Sequence, residues 1–131
     1  MCDIDRFKLF DDTHGHDCGD YVLANTATLI MESVRATDLA ARWGGEEFLV
    51  ILGQGEEPGI AALAERIRHR VEAAVWEYAG KCLSVTVTLG VAICPPLTDR
   101  EAVISLADAV MYEGKHSGRN RVTVKLYSVD N

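Results

Sequence analysis

A chain of 131 residues, 48% hydrophobic and 25% charged, is long enough for one packed core and short for two. Its 13 Lys and Arg against 20 Asp and Glu give a net charge of -7, which argues against a nucleic acid polymer as partner but not against a small phosphorylated ligand held through metal ions. No run has the length of a membrane helix and no secretory signal opens the chain, so cytoplasm without direct membrane insertion is expected; Cys2, Cys18, Cys82 and Cys94 form no CxxC pair, so zinc is weakly supported and a disulfide framework is not needed.

Residues 1–5 read as the stub of a strand, with Asp3 and Asp5 on one face and Ile4 on the other. Residues 6–18 read as turn-like, anchored by Phe7, Leu9 and Phe10. From 19 to about 34 the apolar positions Val22, Leu23, Ala27, Ile30, Met31 and Val34 recur at helical spacing. Residues 39–53 predict a hairpin whose connection is Gly44-Gly45-Glu46-Glu47. A loop at 53–59 leads to a helix at about 60–78. A β-rich run at 84–93 ends at Pro95-Pro96. A helix at about 101–116 is stopped by Gly118, and 121–127 make a final strand. Helices returning to a mainly antiparallel sheet predict a single α/β domain, a sandwich of the ferredoxin-like type.

Asp3, Asp5 and the Glu46-Glu47 pair are the acidic positions that this order brings towards one end of the sheet. Carboxylates on rigid strand ends suit Mg²⁺ or Mn²⁺, and such ions organise phosphoryl transfer; a solvated strand end beside an acidic turn is the plain alternative. Gly44-Gly45 either permits a tight turn or lets a phosphate or sugar lie against bare backbone. Lys8, Lys115 and Arg119 are candidate phosphate ligands, although Lys115 and Arg119 also suit the negative end of a helix. The segment with Asp11, Asp12, His14, His16, Asp17 and Asp20 matches neither zinc nor calcium-loop spacing. Asp17 or Asp20 could cap a helix, or Asp20 could accept from a base edge such as guanine N1 and N2, while the histidines are expected to be local hydrogen-bond partners. Arg35 and Asp38, with Arg42 and Arg66 or Arg68, form a second charged group, either an exposed ion-pair network or a guanidinium site for bases and phosphates.

Taken in order, Asp3-Ile4-Asp5-Arg6-Phe7-Lys8, His14-Gly15-His16-Asp17-Cys18-Gly19-Asp20 and Arg42-Trp43-Gly44-Gly45-Glu46-Glu47-Phe48 resemble the GGDEF domain of diguanylate cyclases. Ala107-Asp108-Ala109-Val110-Met111-Tyr112 and Lys115-His116-Ser117-Gly118-Arg119-Asn120 look like its closing signature, so the resemblance runs from residue 3 to about 124. It implies a nucleotidyl-cyclase-like sandwich that condenses two GTP molecules into cyclic di-GMP across a homodimer of domains and releases two pyrophosphates. It further implies two Mg²⁺ or Mn²⁺ ions per half-site on Asp3, the Ile4 carbonyl, Glu46 and Glu47, with Glu47 near the attacking hydroxyl. Gly44 and Gly45 would wrap the nucleotide, Lys8, Lys115 and Arg119 would contact phosphates, and Asp11, His16 and Asp20 would lie on the nucleotide side, Asp20 reading guanine. Arg35, Asp38 and Arg66 would form an inhibitory site for the product. The alternatives are a non-catalytic GTP or cyclic di-GMP receptor, and a cyclase of altered purine preference.

Two departures from the family pattern stand out. Asp11 replaces the usual Asn, which both donates and accepts, whereas an ionised Asp only accepts. The first strand also reads as truncated, so the resemblance implies a domain missing its usual start, with a sensory or receiver region upstream in a full protein.

Overall fold

The structure, a computed structural model, describes residues 1–53 and 55–128. In chain order the elements are β1 (Cys2–Ile4), α1 (Phe7–His14), α2 (His16–Ser33), β2 (Leu39–Arg42), β3 (Glu47–Ile51), α3 (Glu57–Ala73), β4 (Trp76–Tyr78), β5 (Lys81–Leu83), β6 (Val87–Ile93), α4 (Arg100–His116) and β7 (Val122–Leu126). The main sheet has the order β2-β3-β1-β6-β7, and only the β6–β7 pair is parallel.

The strand stub at the start occupies the centre of this sheet. Cys2 pairs with Phe48 on one side and Leu89 on the other, and Asp3 stands between Glu47 and Thr88. Alternation along β1 then sorts its side chains onto two faces. Cys2 and Ile4 join the core beneath α2 and α3 with Val22, Ile30, Ile67 and Val71. Met1 packs on the other face with Leu49 and with Ala107 and Met111 of α4, while Asp3 pairs with Lys115 of α4. The expected sandwich, with Asp3 and Ile4 on opposite faces, is what forms.

Gly90 sets the height of α4 above the sheet. A Cβ there would stand 2.2 Å from the Met111 nitrogen and 2.3 Å from the Ala107 carbonyl oxygen, so only glycine lets the helix backbone come this close. The last turn of α4 carries Lys115, so the same contact fixes a candidate site residue.

Three expectations are corrected. Residues 7–14 are a helix rather than a turn: Phe7, Phe10 and His14 fall on one stripe, with rings 6.3 Å and 4.6 Å apart. Gly15, at φ 91, ends α1 on its own N–H bond to the Asp11 carbonyl, so α2 starts at His16 and not at 19. Neither Asp17 nor Asp20 caps α2, whose N-cap is Gly15 with no side-chain bond. The third concerns the helix expected to reach 78, which stops at Ala73. Beyond it β4 and β5 form a hairpin closed by Ala79 and Gly80, both at positive φ (51 and 79) as a type I′ turn requires. Tyr78 places its ring 4.9 Å from that of Tyr21 on α2, which holds the hairpin against the domain.

Candidate active site

The hairpin tip between β2 and β3, the end of β1, the start of α1 and the end of α4 meet at one corner of the sheet. The Ile4 N–H donates to the Glu46 carbonyl at 3.2 Å and Asp3 is in register with Glu47, so the two ends of the acidic set are joined through the backbone. Asp3 is only 5% exposed; its Oδ2 lies 3.0 Å from Lys115 Nζ, and its Oδ1 is buried with no hydrogen-bond partner. Burial pushes the Asp3 carboxyl up to about 6; Lys115 pulls it down, and the charges of Glu46 and Glu47 push it further up. Glu46 and Glu47 are themselves half-buried.

The tip is held from within. Trp43 and Gly44 N–H groups donate to the Glu47 carbonyl at 2.8 and 3.3 Å, and Arg42 donates to the carbonyls of Gly44 (3.2 Å) and Gly45 (2.6 Å). Arg42 therefore serves the acidic loop, not the charged group of Arg35 and Asp38 with which the sequence grouped it. Neither Gly44 nor Gly45 has a positive φ, and a Cβ on Gly45 would meet nothing within 4 Å. The turn does not need glycine for its own backbone, and the missing side chains leave its surface open.

Lys8 is exposed on the first turn of α1, and Arg119 follows α4 in the left-handed region at φ 62. The Arg119 N–H bonds back to the Gly114 carbonyl at 3.0 Å across Gly118 (φ 121), the ending expected of that glycine. On the other side, Asp20 opens onto a cleft of about 390 Å³ between α2 and β2, walled by Leu23, Ala27, Met31, Ala40 and Arg42. Asp11 lies against Gly19, where a Cβ would fall 2.3 Å from its Oδ1, and its Oδ2 is 2.8 Å from Nδ1 of His16. His16, with a side chain 91% exposed, is a local polar partner of Asp11, whereas His14 makes a tilted ring contact with Phe10 and not the expected hydrogen bond.

Arg35 and Asp38 meet in the turn after α2. Asp38, whose side chain is 0% exposed, accepts from the Arg35 N–H (2.9 Å), Arg35 Nε (3.3 Å) and the Gly53 N–H (3.3 Å). The Arg35 N–H, ahead of the other donors, holds the Asp38 carboxyl below the usual carboxylate range. Arg66 of α3 donates to the Ser33 carbonyl at 2.6 Å, so it reaches the same end of α2. Arg68 does not join them: it bonds Glu65 on its own helix and Asn120 beside β7.

The donor set fits a divalent cation bound together with a phosphate ligand. Among the described residues no three His, Cys, Asp or Glu side chains converge enough to hold a metal ion alone. Mg²⁺, however, takes one or two carboxylates and completes its shell with substrate phosphates and water. The orphaned Oδ1 of Asp3 beside two further carboxylates has that character.

Sequence reasoning missed the role of Asp5. Its carboxylate accepts from Thr86 Oγ1 (2.7 Å), Thr88 Oγ1 (2.6 Å) and the Asn120 N–H (3.0 Å), which ties β1 to β6 and to the segment after α4. The available signal was the pair of threonines at 86 and 88, spaced to present hydroxyls on one face of a strand.

Comparison with known proteins agrees with this geometry. The family described as "Diguanylate cyclase, GGDEF domain" matches residues 1–121. Diguanylate cyclase A of Treponema denticola is 44% identical over 125 residues, covering 95% of this chain and 34% of that protein. The crystal structure of the diguanylate cyclase SiaD of Pseudomonas aeruginosa, solved with its activator SiaC, superposes with a TM-score of 0.89 at 35% identity over 95% of this chain and 48% of that one. The GGDEF domain of DgcB from Caulobacter crescentus, in complex with c-di-GMP, gives a TM-score of 0.86 at 35% identity, covering 94% of this chain and 74% of that one. A matched span covering nearly the whole chain, with the acidic hairpin tip set against Asp3, places this protein in the GGDEF diguanylate cyclase family. The chain spans about a third of the length of the curated relatives it matches, or less. No helix among the described residues is long and apolar enough to cross a membrane.

Proposed function

We propose that this domain is a diguanylate cyclase, joining two GTP molecules into cyclic di-GMP with release of two pyrophosphates. The observation that carries the reading is Asp3: a buried carboxylate with one orphaned oxygen, in register with Glu47 and paired with Lys115. A metal-bound triphosphate would relieve that arrangement, whereas a plain structural role leaves its burial unexplained.

In this reading Asp3, the Ile4 carbonyl, Glu46 and Glu47 would hold Mg²⁺ or Mn²⁺, two ions per half-site. Those ions, when bound, offset the triphosphate charge and lower the pKa of the attacking hydroxyl. Lys8, Lys115 and Arg119 bind phosphate oxygens. Gly44 and Gly45, fixed by Arg42, let the nucleotide lie on bare backbone. Asp20 accepts from the guanine edge at the mouth of its cleft, with Asp11 and His16 beside it. The 3′-hydroxyl of the GTP on a second copy, near Glu47, attacks the α-phosphorus and pyrophosphate leaves in line. One domain aligns one GTP, so the homodimer supplies the proximity. GTP as substrate goes with a cytoplasmic location, and an upstream sensory or receiver region would set how two copies meet.

Arg35 and Arg66 flank the end of α2 away from the hairpin tip, and we assign them to a product site for cyclic di-GMP. Asp38 serves that site by fixing the backbone of Arg35. The test is production of cyclic di-GMP from GTP and Mg²⁺, with a rate per chain that rises with chain concentration. Binding of GTP or cyclic di-GMP without any turnover would replace this reading by that of a receptor.

A further inference from the structure

Asp5 is a buried carboxylate, 7% exposed, that the reaction as described does not use. It accepts three hydrogen bonds, and one donor is the N–H of Asn120, which also reaches Thr88 Oγ1 at 3.1 Å. Asn120 is pinned on its other side as well: its side-chain oxygen accepts from Arg68 at 2.8 Å and its amide donates to Glu72, both on α3. Asn120 and its neighbour Arg119 are consecutive non-glycine residues in the left-handed region, at φ 46 and 62. Such backbone is unfavourable unless its surroundings over-determine it. A cleft of about 550 Å³ at this corner is lined by Asp5, Arg6, Glu72, Thr86, Arg119 and Asn120.

We propose that Asp5 is a positioning residue for Arg119: its fixed carboxylate locks Asn120 and so holds the left-handed backbone from which Arg119 reaches the triphosphate. The inference rests on the cyclase reading and deepens it. Asp5 differs in role from its near neighbour Asp3. Both of its oxygens accept from within the protein, whereas Asp3 keeps an oxygen without a partner. Losing Asp5 leaves the Asn120 N–H with Thr88 alone and two threonine hydroxyls without their acceptor, so the left-handed pair loses its anchor on the β1 side and keeps only the Arg119 N–H bond to Gly114, the Arg121 bond to the Arg119 carbonyl and the Asn120 side-chain bonds to α3. Asparagine at position 5 keeps one oxygen for that N–H, and the Thr88 hydroxyl can turn to accept from the amide.

The test is a double-mutant cycle read in initial rates of cyclic di-GMP formation, with thermal unfolding of each protein recorded alongside. Asp5→Ala and Arg119→Ala should each raise the KM for GTP about tenfold, with a smaller change in kcat, the scale of one charge-assisted contact. The double variant should stay within about twofold of Arg119→Ala alone, because the first change acts through the second. Asp5→Asn should recover most of the loss. Penalties that multiply, or an Asp5→Ala enzyme with unaltered KM, would overturn the proposal. If Asp5→Ala does not fold, the same cycle is run with Thr86→Ala, and the same non-additivity is expected or the proposal fails. A chain that neither binds nor turns over GTP would overturn the cyclase reading and this inference with it, a result distinct from multiplying penalties in an active enzyme.

Discussion

Lys115 Nζ stands 3.0 Å from Asp3 Oδ2, while Oδ1 of the same buried carboxylate has no partner. One cation therefore half-compensates a group that also feels Glu46 and Glu47. The folded-state pKa, about 6, lies above the ordinary carboxylate value of 3.8, so the folded protein binds more protons than the unfolded chain between those values. Stability from this group is present at low pH and lost as pH rises through about 6. Metal-free thermal unfolding should thus show Asp3→Asn more stable than the unsubstituted protein at pH 8, with the gap closing below pH 5. The same variant should have no cyclase activity. An equal gap at both pH values would show that Asp3 is not held at a cost.

Asp11 faces His16 and leans on Gly19, the residue before Asp20. An ionised Asp offers no donor to a purine ring, so Asp11→Asn should raise kcat/KM for GTP several-fold and leave ATP turnover unchanged. Steady-state rates with both nucleotides check this. A parallel rise for ATP would mean that the change relieves charge and does not read the base.

Arg35→Ala should weaken cyclic di-GMP binding at the product site by about tenfold or more, the loss expected of a guanidinium fork, and raise the product concentration needed for half-inhibition accordingly. Asp38 would keep two backbone donors, from Arg35 and Gly53, so the fold should stand. Arg66→Ala should act in the same direction. Calorimetric titration with cyclic di-GMP, beside progress curves, measures both. Unaltered inhibition in both variants would remove these residues from the product site.

Gly90→Ala should destabilise the domain by about 1–3 kcal/mol or more, as overpacking against immovable backbone does. The Cβ would collide with the backbone of α4 at Ala107 and Met111, and the helix would have to lift. Because α4 carries Lys115, the residual folded protein should also show a higher KM for GTP. Denaturant unfolding and nucleotide kinetics together test the link; loss of stability with unaltered KM would separate the two.

Much of the fold was legible because the apolar stripes of α2, α3 and α4 and the β2–β3 hairpin carry strong periodicity. The helix α1 was hidden by the crowd of charges at residues 11–17, although Phe7, Phe10 and His14 mark its one packed stripe. The β4–β5 hairpin was missed because Ala79 takes a left-handed backbone that its side chain does not advertise. The acidic and basic residues of the site were readable by type and order. Which of them face inwards was not: Asp3 and Asp5 look alike in sequence, yet one keeps an orphaned oxygen and the other accepts on both oxygens from hydroxyls and a backbone N–H. Arg42 likewise reads as a free charge until the Gly44 and Gly45 carbonyls turn towards it.

The most direct test of the central claim is product analysis after incubating the chain with GTP and Mg²⁺, for the unsubstituted protein and for Glu46→Gln. The account predicts cyclic di-GMP and pyrophosphate in a ratio of one to two from the first, and at least about a hundredfold less from the second, the scale of losing a metal-organised transition state. Cyclic di-GMP formed equally well without Glu46, or GTP bound by a folded dimer and never converted, would contradict it.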